Sequence, residues 1–426
     1  MKKTVIAGAI ASLMTAPVMA QNVGTNEELI QKVERLEAEV DYLKENAKVE
    51  RKDDANQSVT LDALSTTVNK FTWKGDFRYR HDQMDADEWL SSRTRDRIRV
   101  RFGVTAKVND QTNVVLQLAS RGGSASGVGA DPRSANQDLG AAWDRKGIAI
   151  DLAYAEWKPV SSLTTQFGKV PMAWVRTGSH LWDPDLTPEG ISLKYNQGAM
   201  FASTFGYWLG ERFDSKKDSS ANTDPSLVGA QLGMKQMIGR VMITGAVSYF
   251  DVGSVKNQVT TTSAVPACNA NPAFYKDALN NTTYKDSNGC LLLSNDFNIR
   301  EALLQADFVI GKLPVSMFYD YMKNSAATSL NHASAAGLML GKASDVKSWE
   351  VGYVYQKAEK DAVFGQFHDS DFAGGIPDTK GSVFKAAYVP LTNWTVNVSY
   401  FVNKRFMSEG KNTDFTNLLL DLNYKF

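Results

Sequence analysis

The strongest constraint in this sequence is a two-residue period. The last segment reads Leu418-Leu419-Leu420-Asp421-Leu422-Asn423-Tyr424-Lys425-Phe426. Leu418, Leu420, Leu422, Tyr424 and Phe426 fall on one face; Asp421, Asn423 and Lys425 fall on the other. Successive side chains of an extended chain point to opposite faces, so this is a strand with one apolar side. Residues 394–402 repeat it, with Trp394, Val396, Val398, Tyr400 and Val402 against Thr395, Asn397 and Ser399. Ile148, Ile150, Leu152 and Tyr154 form a third such face, opposed by Asp151. An apolar face with aromatics at its ends suits a wall between lipid and water.

Composition narrows the classes. Only 43% of residues are apolar, and past residue 20 no apolar run reaches the length of about 20 that a membrane helix needs. Lys and Arg total 47 and Asp and Glu total 47, so bulk charge drives no nucleic-acid binding. Alternating strands of a membrane barrel average out polar and fit both facts.

The pattern predicts sixteen strands, at 71–81, 93–108, 111–121, 147–158, 161–170, 190–196, 198–212, 225–237, 239–253, 297–310, 313–323, 345–357, 361–368, 380–389, 392–403 and 414–426. Short connections fall at Asn109-Asp110, Pro159-Val160, Asn196-Gln197, Gly311-Lys312 and Pro390-Leu391. Longer polar ones fall at 82–92, 122–146, 171–189, 254–296, 324–344 and 404–413. Short turns on one rim and long loops on the other are the signature of an outer-membrane barrel. The expected fold is therefore an all-β transmembrane antiparallel barrel of residues 71–426. The even count puts both termini on the periplasmic, short-turn side. A soluble all-β secreted protein is the rival, and it explains neither the loop lengths nor Phe426.

Before the barrel come two other pieces. Residues 1–20 read as a signal peptide: Lys2 and Lys3, an apolar core from Val5 to Ala16, then Val18-Met19-Ala20 as the cleavage site. Residues 21–70 read as a periplasmic α-helical coiled-coil stalk. Leu29, Leu36 and Leu43 take d positions, and Val33 and Val40 take a. The register resumes at Leu61, Leu64 and Val68 after a polar interval. A single amphipathic helix packed on its own chain is the other reading. Cys268 and Cys290 lie in one long polar stretch; a disulfide between them would stabilise the fold by about 3 kcal/mol on the chain-entropy model, and two free thiols are the alternative.

Charge is distributed unevenly. Arg93, Arg95, Arg97, Arg99 and Arg101 share one face of the second strand, with Ile98, Val100 and Phe102 on the other. Arg78 and Arg80 extend the set on the first strand. An Arg facing lipid at mid-depth costs about 2–4 kcal/mol, so the ladder faces the lumen. Two readings of it stand: a field that guides ions, or structural Arg paired with carboxylates such as Asp76 and Asp96. The connection 171–189 is unusually apolar for an exposed tip and carries Trp174, Arg176, His180, Trp182, Asp183, Asp185 and Glu189. Folded into the barrel, its acids would face the ladder across a constriction. Packing at the rim or on a neighbouring protomer is the alternative.

At these residues the chain resembles the putative porin family of marine and other proteobacteria. The resemblance runs over about 72–200, through Trp73-Lys74-Gly75-Asp76-Phe77-Arg78, the Arg-rich strand, Val104-Thr105-Ala106-Lys107-Val108-Asn109-Asp110, Phe167-Gly168-Lys169, Trp182-Asp183-Pro184-Asp185-Leu186 and Pro188-Glu189-Gly190. It implies a homotrimeric diffusion channel whose third loop narrows the pore. The stalk-plus-barrel layout also resembles sugar- and phosphate-selective porins with an N-terminal periplasmic coiled coil.

The expected function is passive passage of small hydrophilic solutes and ions through the outer membrane of a Gram-negative cell, with a mild anion preference. The rival is a structural anchor that tethers the envelope, with cell-wall contact through the stalk. Tyr424 and Phe426 resemble the C-terminal signal read by the outer-membrane assembly machinery. Lipid is the expected surrounding, and no nucleic-acid partner is expected. His81, His180, His332 and His368 are the only histidines and none has a recognisable Ser partner, so no enzyme, cofactor or metal is expected.

Overall fold

The computed structural model of the protein describes residues 32–41, 70–121, 131–140, 142–211, 224–260 and 278–426. The chain divides into two units, Met1–Asn69 and Lys70–Phe426. In the first, residues 32–41 form an α-helix on which Val33, Leu36 and Val40 are exposed. The signal segment and the seam positions Leu29, Leu43, Leu61, Leu64 and Val68 lie outside the described residues.

The second unit is built from strands. In chain order they are β1 (Phe71–Ala86), β2 (Arg93–Lys107), β3 (Thr112–Ser120), β4 (Gln137–Asp138), β5 (Ile148–Val160), β6 (Leu163–Lys169), β7 (Glu189–Gln197), β8 (Met200–Trp208), β9 (Ser226–Ile238) and β10 (Val241–Gly253). Then follow β11 (Thr283–Lys285), β12 (Leu291–Leu293), β13 (Phe297–Ile310), β14 (Leu313–Asn324), β15 (His332–Gly341), β16 (Trp349–Ala358), β17 (Thr379–Tyr388), β18 (Trp394–Arg405) and β19 (Thr413–Lys425). Short β11 and β12 form a separate ribbon, while two-residue β4 lies beside β2 where β3 has ended. Apart from β4, the seventeen-stranded sheet is a closed antiparallel barrel of sixteen strands. Closure leaves no sheet edge to satisfy in lipid.

The closing pair is β1 with β19, from Asp76 opposite Lys425 to Ala86 opposite Phe415. Gly75 and Phe426 exchange backbone hydrogen bonds of 2.8 and 3.0 Å. A Cβ at Gly75 would lie 2.5 Å from the Phe426 ring, so the terminal aromatic needs a glycine beneath it.

The strand count matches expectation through two opposite errors. Residues 361–368 form no strand. They lie in the connection 359–378, which is buried along most of its length and contains a 3-10 turn at Gly365–Phe367. Meanwhile β15 falls inside the expected loop 324–344. Its sequence, His-Ala-Ser-Ala-Ala-Gly-Leu-Met-Leu-Gly, carries few β-branched or aromatic residues, and its inward Ala333 and Ala335 look unremarkable in sequence. A second difference sits in β5. A bulge at Asp151 puts Leu152 and Tyr154 opposite Gln117 and Val115, off the face of Ile148 and Ile150. Ile148 and Ile150 are exposed, while Tyr154 packs against the interior.

Outside, Phe77, Tyr79, Val100, Phe102, Tyr400 and Leu420 form part of an exposed apolar wall. Inside, an apolar core fills part of the lumen, with residues contributed by strands from β8 round to β19. Phe205, Tyr207, Phe250, Phe297, Phe401 and Leu419 of the strands pack there against residues of the connections 170–188 and 359–378. The strict rule of polar residues inside therefore fails where the chain folds back into its own barrel. Cys290 is buried, and Cys268 lies outside the described residues.

Candidate functional site

The Arg ladder is built by two adjacent strands in antiparallel register. Arg78 lies opposite Arg99, and Arg80 opposite Arg97. Period two turns all seven guanidiniums away from the apolar outer face. Arg80 bonds Asp421 of β19 at 2.7 Å and Asp371 of the connection 359–378 at 2.8 Å. Arg95 bonds Asp82, and Arg97 reaches Asp138 of β4 at 2.7 Å. Arg93 stands 3.6 Å from Asp138, near the rim. Arg99 pairs with Asp76 at 2.9 Å and with Asp185 at 3.4 Å, and Arg101 pairs with Asp185 at 2.5 Å.

Six arginines thus meet six aspartates: Asp76, Asp82, Asp138, Asp185, Asp371 and Asp421. Asp76 is paired as the sequence suggested. Asp96 is not, because it lies on the other face, where it accepts from the Tyr79 hydroxyl and meets His81 at 2.9 Å. Asp138 and Asp371 come from chain segments remote from the ladder, so sequence spacing carries no sign of them. Asp421 was visible on the polar face of the last strand, but its partner depends on closure of the barrel.

The connection 171–189 enters the lumen. Trp174 and Trp182 are 5% and 4% exposed, with ring centroids 5.1 Å apart. Both rings also pack on Phe250, at 5.1 and 4.8 Å. Gln231 of β9 fixes the backbone of Val175 on both sides, accepting from its N–H at 2.7 Å and donating to its carbonyl at 2.9 Å. The hydroxyls of Thr177 and Ser179 donate to Asp320 of β14 at 3.1 and 2.9 Å. The loop therefore crosses from the β8–β10 wall to β14 and returns to the ladder.

Of its acids, only Asp185 touches the ladder. Burial raises the affinity of its carboxyl for a proton, but Arg101 and Arg99 outweigh that and hold it below the ordinary aspartate range. Asp183 is turned away; it accepts from the N–H groups of Ser370 and Asp185 at 2.9 and 2.8 Å. Burial, then Asp369 and Asp185, push its carboxyl well up. Glu189 does not face the ladder at all: it begins β7 on the side of Ile191 and bonds Lys169 at 3.0 Å. Arg176 donates to the Trp182 carbonyl at 3.3 Å, inside the loop.

A second inward connection, 359–378, was missed in the sequence because half of it reads as a strand. It locks onto the first. His180 Nδ1 meets Asp369 at 2.5 Å, and the Asp183 N–H donates to the Phe367 carbonyl at 2.8 Å. Burial holds the neighbouring His368 neutral, with its pKa down at about 3. Arg133 completes the assembly. Its Nη1 donates to the carbonyls of Gly365, His368 and Gly375 at 3.2, 3.3 and 2.7 Å, while Asp131 binds the rest of the guanidinium. Replacing Arg133 by Gln leaves buried carbonyls without donors, at a cost on the order of 3 kcal/mol. The expected result is a noisier open-channel current in planar bilayers; a current as quiet as wild type would show that Arg133 does not hold the loop.

Among the described residues no group of three or more His, Cys, Asp or Glu is arranged to hold a metal. His332 bonds the Tyr321 hydroxyl at 2.6 Å. The arrangement is one of fixed charges and walls in a closed tube.

Comparison with one solved structure gives the same architecture. Pseudomonas putida OprB, in a high-pH structure, superposes with a TM-score of 0.55 at 13% identity, over 85% of this chain and 96% of that one. Salmonella typhi OmpF, in a complex with daunomycin, gives a TM-score of 0.47 at 14% identity, over 84% of this chain and 97% of that one. No curated protein sequence matches the chain significantly. A family model described as "Putative porin" matches residues 36–308, which is more than half of the chain and spans the ladder and the inward loop. This chain belongs to that porin family.

Proposed function

We propose that this protein is a passive channel of the outer membrane, through which small hydrophilic solutes and ions diffuse without a chemical step. The observation that carries the reading is the meeting of Asp185, on an inward loop, with Arg99 and Arg101 on the wall. That contact supports a charged passage narrowed by the loop over an open tube. The near balance of the ladder makes the expected anion preference mild. Residues 71–426 carry 38 basic and 36 acidic groups, so the barrel's net charge of +2 adds little to it.

The remaining assignments belong to the same proposal. The mature protein is a homotrimer in outer-membrane lipid, inserted by assembly machinery that reads Tyr424 and Phe426. Residues 1–20 are removed, and residues 21–70 stand in the periplasm as a coiled-coil stalk. Cys268 and Cys290 form a disulfide within the long connection; no described cysteine is free, which supports it. The test is the zero-current potential of the purified protein in planar bilayers under a KCl gradient. A potential of the sign for mild anion preference is expected. Cation preference would overturn the selectivity, and absence of conductance would overturn the channel.

A further inference from the structure

The ladder holds seven guanidiniums and six carboxylates, and the surplus is local. Arg78 is the one ladder arginine with no carboxylate in ion-pair range among the described residues. Its one hydrogen bond runs from Nη2 to the Asn136 side-chain oxygen at 2.6 Å. Its Nε is buried and has no acceptor. The carboxylates nearest in the network are engaged elsewhere: Asp185 by Arg99 and Arg101, Asp76 by Arg99, and Asp421 by Arg80. Its cross-strand neighbours are Arg99 on β2 and Asn423 on β19, so neither side supplies a negative charge.

Asn136 is itself held in place. It is buried, and the Ser134 hydroxyl accepts from its backbone N–H at 3.3 Å and from its amide nitrogen at 3.2 Å. That fixes the amide with its oxygen toward Arg78 and leaves the guanidinium Nε without an acceptor. A half-buried cation with spare donors, set between like charges, attracts an anion that can accept hydrogen bonds.

We infer that Arg78 is the anion-docking residue of the passage, and that it takes a small oxyanion of the carboxylate type that accepts hydrogen bonds from the guanidinium. This rests on the channel reading, which makes the lumen accessible to such solutes. The pairing of the other six arginines turns them into a wall that positions Arg78 and keeps competing acids occupied.

Acetate serves as the probe, with the full-length protein. Broadening of the 13C-acetate carboxylate resonance reports binding in detergent micelles, and acetate inhibition of the chloride current reports it in bilayers. Arg78→Gln removes the site. Asn136→Asp neutralises it by supplying the missing carboxylate without touching Arg78, and decides the matter if Arg78→Gln does not assemble into a barrel. Each variant is expected to weaken acetate about tenfold, the loss of one charge-assisted hydrogen bond. Acetate binding equal to wild type in either assembled variant overturns the inference. Broadening that responds to both substitutions, in a protein that passes no current, would sustain the site and sink the channel.

Discussion

Replacing Trp174 by Ala is expected to release the inward loop and raise the single-channel conductance. The ring lies 4.9 Å from Phe205 and 5.1 Å from both Trp182 and Phe250, centroid to centroid. Truncating a buried Trp in such a cluster costs about 3–5 kcal/mol. That cost falls on the loop rather than on the barrel, because the strand ladder closes through backbone bonds that the ring does not make. The anchors nearest to it, Gln231 on Val175 and Asp320 on Thr177 and Ser179, are individual hydrogen bonds worth about 1 kcal/mol each and do not replace it. The loop then leaves the β8–β10 wall and the passage widens. Single-channel recording and liposome-swelling rates with sugars of increasing size check this. Unchanged conductance and an unchanged size limit would mean that the loop does not set the restriction.

The second large effect is electrical. Asp185→Asn leaves Arg99 without one of its two acids and Arg101 without its one ion-pair partner among the described residues. The ladder then holds seven guanidiniums against five carboxylates. Removing one member of a buried charged pair costs about 3–5 kcal/mol where burial is complete, and less here because both arginines retain some contact with the lumen. The expected result is a several-fold rise in the anion-to-cation permeability ratio under a KCl gradient. The shift should be largest at low salt, since the screening length shrinks to about 10 Å at 0.1 M. Asp183→Asn is the contrast. Asp183 bonds Ser370 and the loop backbone, not the ladder, so it should loosen the loop while leaving selectivity near wild type. Equal shifts in both variants would show that loop disorder, not ladder charge, sets the preference.

Much of the architecture was legible because lipid imposes a simple rule. A strand facing lipid must alternate, and the final strand and residues 394–402 do so except at Leu419 and Phe401, which pack in the interior core. The rule weakens wherever the inner face meets protein instead of water. Residues 361–368 carry strand-like apolar residues because Val363, Phe364 and Phe367 are buried under Trp182 and Phe297, not because they pair. Strand β15 was lost for the opposite reason. Its inward side needs only small side chains, and Ala and Gly give no pattern to detect. In β5 a single bulged residue reversed two side chains, which no periodicity can register.

The sequence by itself determined the barrel and the face on which seven arginines stand, and it marked one loop as too apolar for an exposed tip without choosing between lumen and rim. Each follows from local rules: two-residue alternation, the cost of charge in lipid, and the cost of tryptophan in water. The tertiary structure alone decided how that charge is used. Asp138, Asp371, Asp185 and Asp421 reach the ladder from four separate parts of the chain. Coulomb attraction depends on distance in space, and barrel closure and loop insertion set those distances. The same closure leaves Arg78 beside an amide instead of an acid, a difference invisible in a row of alternating arginines.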